Sequence, residues 1–431
     1  MSPEPGGKWP AFVAVFLVAL AVRAAFLFLL APHASTLFPS LSSAVGMAFD
    51  GYRAIALQVI SGHGFAFDAA SGPTAARAPL YPLFLAAMYF VFGTGFWPVL
   101  WAHAVLGALT CSLLYLLGRR MFDRGVGVLG GILLAFYPPH LWWSQYVLSE
   151  TLLVFLIVST FLALFILVQS PSVRQAIVSG ALFGLTALCN SMISFFPPLL
   201  LLVVILSRER RHRYLRSALV MLATMAVVIM PWTVRNALTF HRLIPINWSV
   251  GWVYLKGLIM ADNYVNGRGS DLARLDDDST EEIIQILRSH GFTQTSYQEK
   301  RIAISRTMCV DYEEDRLLKR LAVERVMKNP FLAVRKFVVN LGLYWYLAIR
   351  FQDALKLLNF TLVGFALLGL ARGAWRATGA RLLLLYCVYS YFSYAAIIAS
   401  SRFVVQIAPF LTLLGAAAIA SLARRRTAAP V

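Results

Sequence analysis

Long apolar runs alternate with short basic ones along this 431-residue chain. Ala11–Ala31, Trp97–Gly118, Glu150–Gln169, Ala218–Trp232, Leu355–Ala371 and Phe403–Leu422 approach the roughly 20 apolar residues that cross a hydrocarbon core of about 30 Å. With the shorter runs between them, the pattern predicts helices over 11–31, 97–118, 125–143, 150–168, 175–190, 194–206, 216–233, 355–371, 382–399 and 403–422. Two segments are ambiguous. Pro79–Gly93 is apolar but short and begins with prolines, which suits an interfacial or re-entrant helix. Phe337–Ile349, with Tyr344, Trp345 and Tyr346, suits the aromatic belt at the headgroups.

Composition agrees. Hydrophobic residues are 59% of the chain and charged residues 13%, where a soluble protein keeps about a quarter charged to solvate its surface. The net charge of +18 would suggest nucleic acid, but its placement argues against that partner. Arg119, Arg120 and Arg124 form one cluster, Arg208, Arg210, Arg211, Arg213 and Arg216 another, Arg372, Arg376 and Arg381 a third, and Arg424–Arg426 close the chain. Each lies between or just beyond apolar spans, as the positive-inside rule expects of cytoplasmic loops. No basic face is interleaved with an aromatic platform for bases. The first span is too long for a signal-peptide core and reads as a retained helix. Cys111, Cys189 and Cys387 sit in apolar spans and Cys309 in a polar one, so no disulfide framework is implied.

Placing the basic clusters inside gives an all-α polytopic protein of the cytoplasmic (inner) membrane with both termini inside. Residues 1–233 form an N-terminal membrane module whose first outer loop is 32–96. Residues 234–336 form an outer helical segment, and 337–431 an interfacial stretch followed by the last spans. The outer segment carries 13 of the 20 acidic residues, between Asp262 and Glu324. Ser279-Thr280-Glu281-Glu282 and Ser296-Tyr297-Gln298-Glu299 are capping-box patterns. They predict a helix ending near Gly291 and another ending at Asn329-Pro330.

Candidate chemistry concentrates in the first outer loop: Phe49-Asp50-Gly51-Tyr52-Arg53, then Gly62-His63-Gly64-Phe65, then Arg77-Ala78-Pro79-Leu80-Tyr81-Pro82. A carboxylate where headgroups meet water can serve as a general base. Asp50 can equally cap the helix beginning near Tyr52. Glu150 can orient a substrate or hold a divalent cation, or it can be a first-turn acid behind a Ser149 cap. Asp276-Asp277-Asp278 has a metal-binding spacing, but the capping pattern behind it accounts for the acids.

The order Asp, Tyr-x-x-x-Ala, Gly-x-Gly-Phe, Arg-x-Pro-Leu-Tyr-Pro resembles the first outer loop of GT-C glycosyltransferases. The bacterial branch akin to protein O-mannosyltransferases and aminoarabinose transferases (glycosyltransferase family 39-like) is nearest. Tyr137-Pro138-Pro139 leading to Ser149-Glu150-Thr151-Leu152, Pro231-Trp232-Thr233-Val234-Arg235-Asn236, Gly251 to Gly257 with Lys256, and Arg402-Phe403 before Pro409 follow in the family's order. Two departures stand out: Ala78-Pro79 replaces Pro-Pro, and Arg402-Phe403 replaces Arg-Tyr. The resemblance implies a GT-C-like bundle of about 10–12 transmembrane helices with juxtamembrane helices and a small extracytoplasmic segment. It implies a polyprenyl-phosphate-linked sugar as donor, an envelope lipid, glycan or protein as acceptor, and an active site on the outer face among membrane lipids. Asp50 would be the base of an inverting transfer and Glu150 a second acid. Arg77, Arg235, Lys256 and Arg402 would be candidates for the donor phosphate, and Tyr52, His63 and Tyr81 for positioning substrate. His63 also reads as a turn residue, and the four cations as snorkelling side chains. The resemblance leaves divalent-cation dependence open. A transporter or flippase and a non-catalytic assembly protein are the rival readings. Arg23 and Asn190 are the obvious polar intrusions in the spans, without the matching broken helices of secondary transporters.

Overall fold

The computed structural model describes residues 8–30, 50–70, 72–266, 272–292, 311–343, 352–377, 379–398 and 401–427. Apart from one isolated bridge, Ala66 to Pro73, the regular elements among them are helices. They run as α1 (Lys8–Ala25), α2 (Tyr52–Ile60), α3 (Leu80–Phe92), α4 (Trp97–Met121), α5 (Arg124–Ala135), α6 (Pro138–Trp143), α7 (Glu150–Gln169), α8 (Val173–Cys189) and α9 (Phe196–Leu206). There follow α10 (Arg208–Phe240), α11 (Val250–Val265), α12 (Leu272–Ser289), α13 (Tyr312–Lys328), α14 (Phe331–Leu343), α15 (Gln352–Ala371), α16 (Ala380–Ile397) and α17 (Ala408–Thr427).

This is a multi-pass membrane protein. Among the described residues, five helices are long and apolar enough to cross a membrane: Trp9–Leu29, Trp97–Met121, Glu150–Gln169, His212–Phe240 and Ala380–Ile397. The other expected spans correspond to shorter apolar helices, Arg124–Ala135, Val173–Cys189, Ser191–Leu206, Leu357–Ala371 and Ala408–Arg424. Helix α4 lies at the centre, packed by α1, α5 and α7. From α7 the layer continues through α8 to α10, and from α5 through α17 to α15. Small residues make this close packing possible, as they do between helices in lipid. A Cβ on Gly127 of α5 would lie 2.6 Å from the Tyr115 carbonyl of α4. A second, smaller core joins α11, α12 and α13 around Trp252, Leu255, Ile283 and Leu318.

Several boundaries differ from the sequence expectation. The helix expected over 125–143 is broken at Phe136-Tyr137, because Pro138 and Pro139 lack N–H donors and start α6 instead. Helix α10 is far longer than 216–233; it begins at Arg208 and runs through Pro231 to Phe240, packed along α8. Ser279 does not start a helix but lies inside α12, which begins at Leu272. The pattern at Ser296–Glu299 lies outside the described residues, as do Cys309 and Tyr344–Tyr346. The working capping box is instead Asp311 with Glu314, at the start of α13.

Candidate active site

The loop before α2 brings Asp50 against the far end of the chain. Asp50 is 4% exposed, and its Oδ2 accepts a hydrogen bond from Arg402 Nη1 at 2.7 Å. Arg402 Nε reaches Glu150 Oε1 at 3.3 Å, so one guanidinium joins two carboxylates drawn from residues 50 and 150. Arg77 closes the other side. Its Nε donates to the Asp50 backbone carbonyl at 2.7 Å, and its Nη2 lies 4.0 Å from Asp50 Oδ1. The buried Lys256 of α11 adds its charge to the same carboxylate.

Asp50 does not cap α2, and Glu150 stands in the first turn of α7 without a Ser149 capping bond. The residue preceding α2 is Gly51, with φ 72°, in the left-handed region that favours glycine, and no side chain caps the helix. At α7, Ser149 has helical dihedrals and makes no capping bond; its hydroxyl lies 3.4 Å from Tyr52 OH. Burial alone would raise the Asp50 pKa, but Arg402, Arg77 and Lys256 together hold it below the usual carboxylate range. Burial and the Asp50 charge push the Tyr52 phenol up, so it stays neutral as a donor or acceptor. Among the described residues Arg402, Arg77 and Lys256 all act on Asp50, a concentration of positive charge that suits an anionic ligand. Glu150 Oε2 is buried with no hydrogen-bond partner among the described residues.

The remaining candidates fall into different places. Tyr81 is fully buried; its hydroxyl lies 3.1 Å from His103 Nε2, and its ring meets Tyr52 edge to face at 5.1 Å. It supports the site from behind. Arg235 lies on α10. It donates to the Thr74 carbonyl at 2.9 Å and stacks over Trp232 at 4.8 Å, tying the 65–76 loop to α10. His63 is exposed in a turn between Gly62 and Gly64, both at positive φ. No group of three acids, cysteines or imidazoles that could hold a metal occurs among the described residues, and the side chain between Asp50 and Glu150 is itself a cation.

The Gly251-to-Gly257 stretch has a packing reason. A Cβ on Gly251 would lie 2.0 Å from the Asp315 carbonyl of α13, and one on Gly257 2.3 Å from the Ile397 carbonyl of α16. Asp315, which sequence reasoning passed over, accepts from Trp252 N at 2.9 Å and so caps the helix that carries Lys256. Tyr394 and Gln406 were also missed. They hold the turn that carries Arg402, with Tyr394 stacked on Phe403 at 4.0 Å. Asp315 lies 63 residues from Trp252 and Tyr394 12 from Gln406, and no local pattern marks either contact. The Phe403 departure is accommodated by that stacking, which needs no hydroxyl.

Comparison with known proteins agrees with this architecture. Residues 76–234 match the family model for dolichyl-phosphate-mannose-protein mannosyltransferase. No curated protein matches the sequence. The oligosaccharyltransferase AglB from Archaeoglobus fulgidus, in complex with an inhibitory peptide and a dolichol-phosphate, superposes with a TM-score of 0.56 at 17% identity, covering 97% of this chain and 52% of that one. The apo form of the A. fulgidus enzyme gives a TM-score of 0.56 at 16% identity, covering 96% and 51%. ArnT from Cupriavidus metallidurans bound to undecaprenyl phosphate gives 0.39 at 17% identity, covering 96% and 77%. This chain therefore spans about half the length of the archaeal enzymes. The all-helical membrane architecture expected from the sequence is the fold found, and the archaeal oligosaccharyltransferase shares it.

Proposed function

We propose that this chain transfers a sugar from a polyprenyl-phosphate donor to an envelope acceptor at the outer face of the cytoplasmic membrane. The observation that carries the reading is the buried Asp50–Arg402–Glu150 bridge flanked by Arg77 and Lys256. The match of residues 76–234 to a lipid-phosphate-sugar transferase family supports it. Chain direction puts Glu150 at the end of the bundle opposite Arg119, Arg120 and the Arg424–Asp123 ion pair. Basic residues at that opposite end favour the cytoplasm there, and so favour an outward site.

In the proposed reaction the acceptor oxygen attacks the anomeric carbon while its proton passes to an Asp50 carboxylate oxygen. The bond from that carbon to the phosphate oxygen breaks, and its electron pair leaves with the polyprenyl phosphate. Attack opposite the leaving group inverts the centre. This concentration of positive charge receives the phosphodiester, and Arg402 and Arg77 stabilise the charge that grows on the leaving phosphate.

The test is single-turnover transfer in nanodiscs from undecaprenyl-phosphate carrying mannose, glucose, galactose, N-acetylglucosamine or aminoarabinose. Asp50→Asn keeps the shape and one acceptor for Arg402 but cannot take the proton. It is expected to lower the rate of the accepted donor at least about a hundredfold. Near-normal turnover by this variant, or no turnover of any donor by folded wild type, overturns the reading.

A further inference from the structure

The turn Ser401–Gln406 carries Arg402 and packs Phe403, Val404 and Val405 into the apolar core. One side chain meets it at two points. Tyr394, on α16, stacks its ring on Phe403 with centroids 4.0 Å apart and planes 16° apart. Its hydroxyl meets the Gln406 amide at 2.9 Å through Nε2 and 3.2 Å through Oε1. From the other side Asn190, at the C-terminal end of α8, donates Nδ2 to the same hydroxyl at 3.0 Å. The orientation of that amide is fixed, because Asn190 Oδ1 accepts from Met192 N at 3.1 Å. Tyr394 and Gln406 are 5% and 3% exposed, among apolar helices. A polar junction in such a place is costly unless every group is paired, and apolar packing would close the same gap more simply. Here the junction lies next to the one guanidinium that joins both acids.

We propose that Tyr394, braced by Asn190 and Gln406, is a positioning residue that holds the Arg402 turn so that its guanidinium spans Asp50 and Glu150. The proposal rests on the catalytic reading of Asp50 and Arg402 above for its effect on rate, but not for its effect on the carboxylate. Asp50 is faced by Arg402, Arg77 and Lys256, and by Tyr52 and Glu150. Arg402 is the foremost of its opposite charges, so a loosened turn makes Asp50 easier to protonate. Asp50 works as a base above its pKa, so the acid limb of the rate profile moves to higher pH.

Tyr394→Phe removes the hydroxyl and keeps the stacking. It is expected to lower kcat about tenfold to a hundredfold, with little change in donor KM, since Arg77 and Lys256 stay in place. The acid limb should rise by about one pH unit, a tenfold change in proton affinity. Dicyclohexylcarbodiimide, which modifies protonated carboxyls, should label Asp50 at correspondingly higher pH, read by mass spectrometry. Gln406→Leu, which leaves the hydroxyl but removes its partner, should reproduce these changes, and the double variant should be no worse than either single one. A Tyr394→Phe protein with wild-type kcat and labelling profile, even if less heat-stable, overturns the proposal. If Tyr394→Phe does not fold, Gln406→Leu decides by the same readouts. Asp50→Asn measured in parallel separates the two failures: an active Asp50→Asn protein sinks the catalytic reading, while the labelling profile still decides the clamp.

Discussion

Replacing Arg402 by glutamine removes the only described side chain that touches both acids of the site. Its Nη1 is 2.7 Å from Asp50 and its Nε 3.3 Å from Glu150, while the acids' side chains are each 6% exposed. Breaking a buried ion pair by removing one partner costs about 3–5 kcal/mol, because the other charge is left without compensation. Arg402 is itself 24% exposed, which favours the lower end, about 3 kcal/mol. The cost depends on pH. In wild type the Asp50 pKa lies below its usual value, so its contribution is present above that usual value and is lost as pH falls through the depressed one. In the variant Arg402 no longer lowers it, so the stability gap is widest near neutrality and closes in acid as Asp50 takes up a proton. Arg402→Lys keeps the charge but offers one nitrogen in place of a fork. It should cost about 1 kcal/mol for one lost hydrogen bond, and still slow transfer about 10²–10³-fold for want of a preorganised donor. Thermal unfolding in nanodiscs at pH 5, 6, 7 and 8, with single-turnover transfer on the same preparations, measures both. An Arg402→Gln protein that unfolds at the wild-type temperature at every pH would refute the assignment of Arg402 as counter-charge.

Three further outcomes follow from the geometry. Glu150→Gln keeps an acceptor for Arg402 but changes the unpartnered Oε2, so turnover should drop at least about tenfold, or 1.36 kcal/mol, with donor affinity unchanged; normal turnover with a slightly lower unfolding temperature would return Glu150 to a structural role. Lys336, outside the apolar spans, is buried with Nζ 3.3 Å from the centroid of the Tyr254 ring, and burial lowers its pKa to about 7 from 10.5. The unfolded chain binds the proton more tightly there, so stability rises with pH between about 7 and 10.5. Lys336→Met should therefore unfold at a higher temperature than wild type at pH 6, with the advantage shrinking by pH 9; an advantage constant across that range would contradict this. Gly251→Ala drives a Cβ to 2.0 Å from the Asp315 carbonyl, so α11 must shift from α13. Because α11 carries Lys256, donor affinity should fall along with stability, and unchanged binding of undecaprenyl phosphate would separate that packing from the site.

Hydrophobic periodicity and charge placement determined by themselves that this is a helical membrane protein, and they located its spans to within a few residues in most cases. That information is local: a run of Leu, Val, Ile and Phe must find lipid or another helix whatever surrounds it. Pro138-Pro139 shows where local reading falls short, since the apolar run continues through a break that missing N–H donors impose. Ser279 shows the converse, a sound capping pattern overridden because α12 already runs from Leu272. The acids could be singled out in sequence, but their capping and catalytic readings could not be separated there. Only the fold shows what Asp50 meets, by bringing Arg402 to it across 352 residues and to Glu150 as well. It also sets Arg77 against Asp50, brings the Lys256 charge to bear on that carboxylate, and ties Arg235 to the Thr74 carbonyl. The physical reason is that a carboxylate's role depends on which charges and donors share its low-dielectric surroundings. In this chain those neighbours come from α7, α11 and the turn before α17, whose meeting no sequence neighbour of Asp50 encodes.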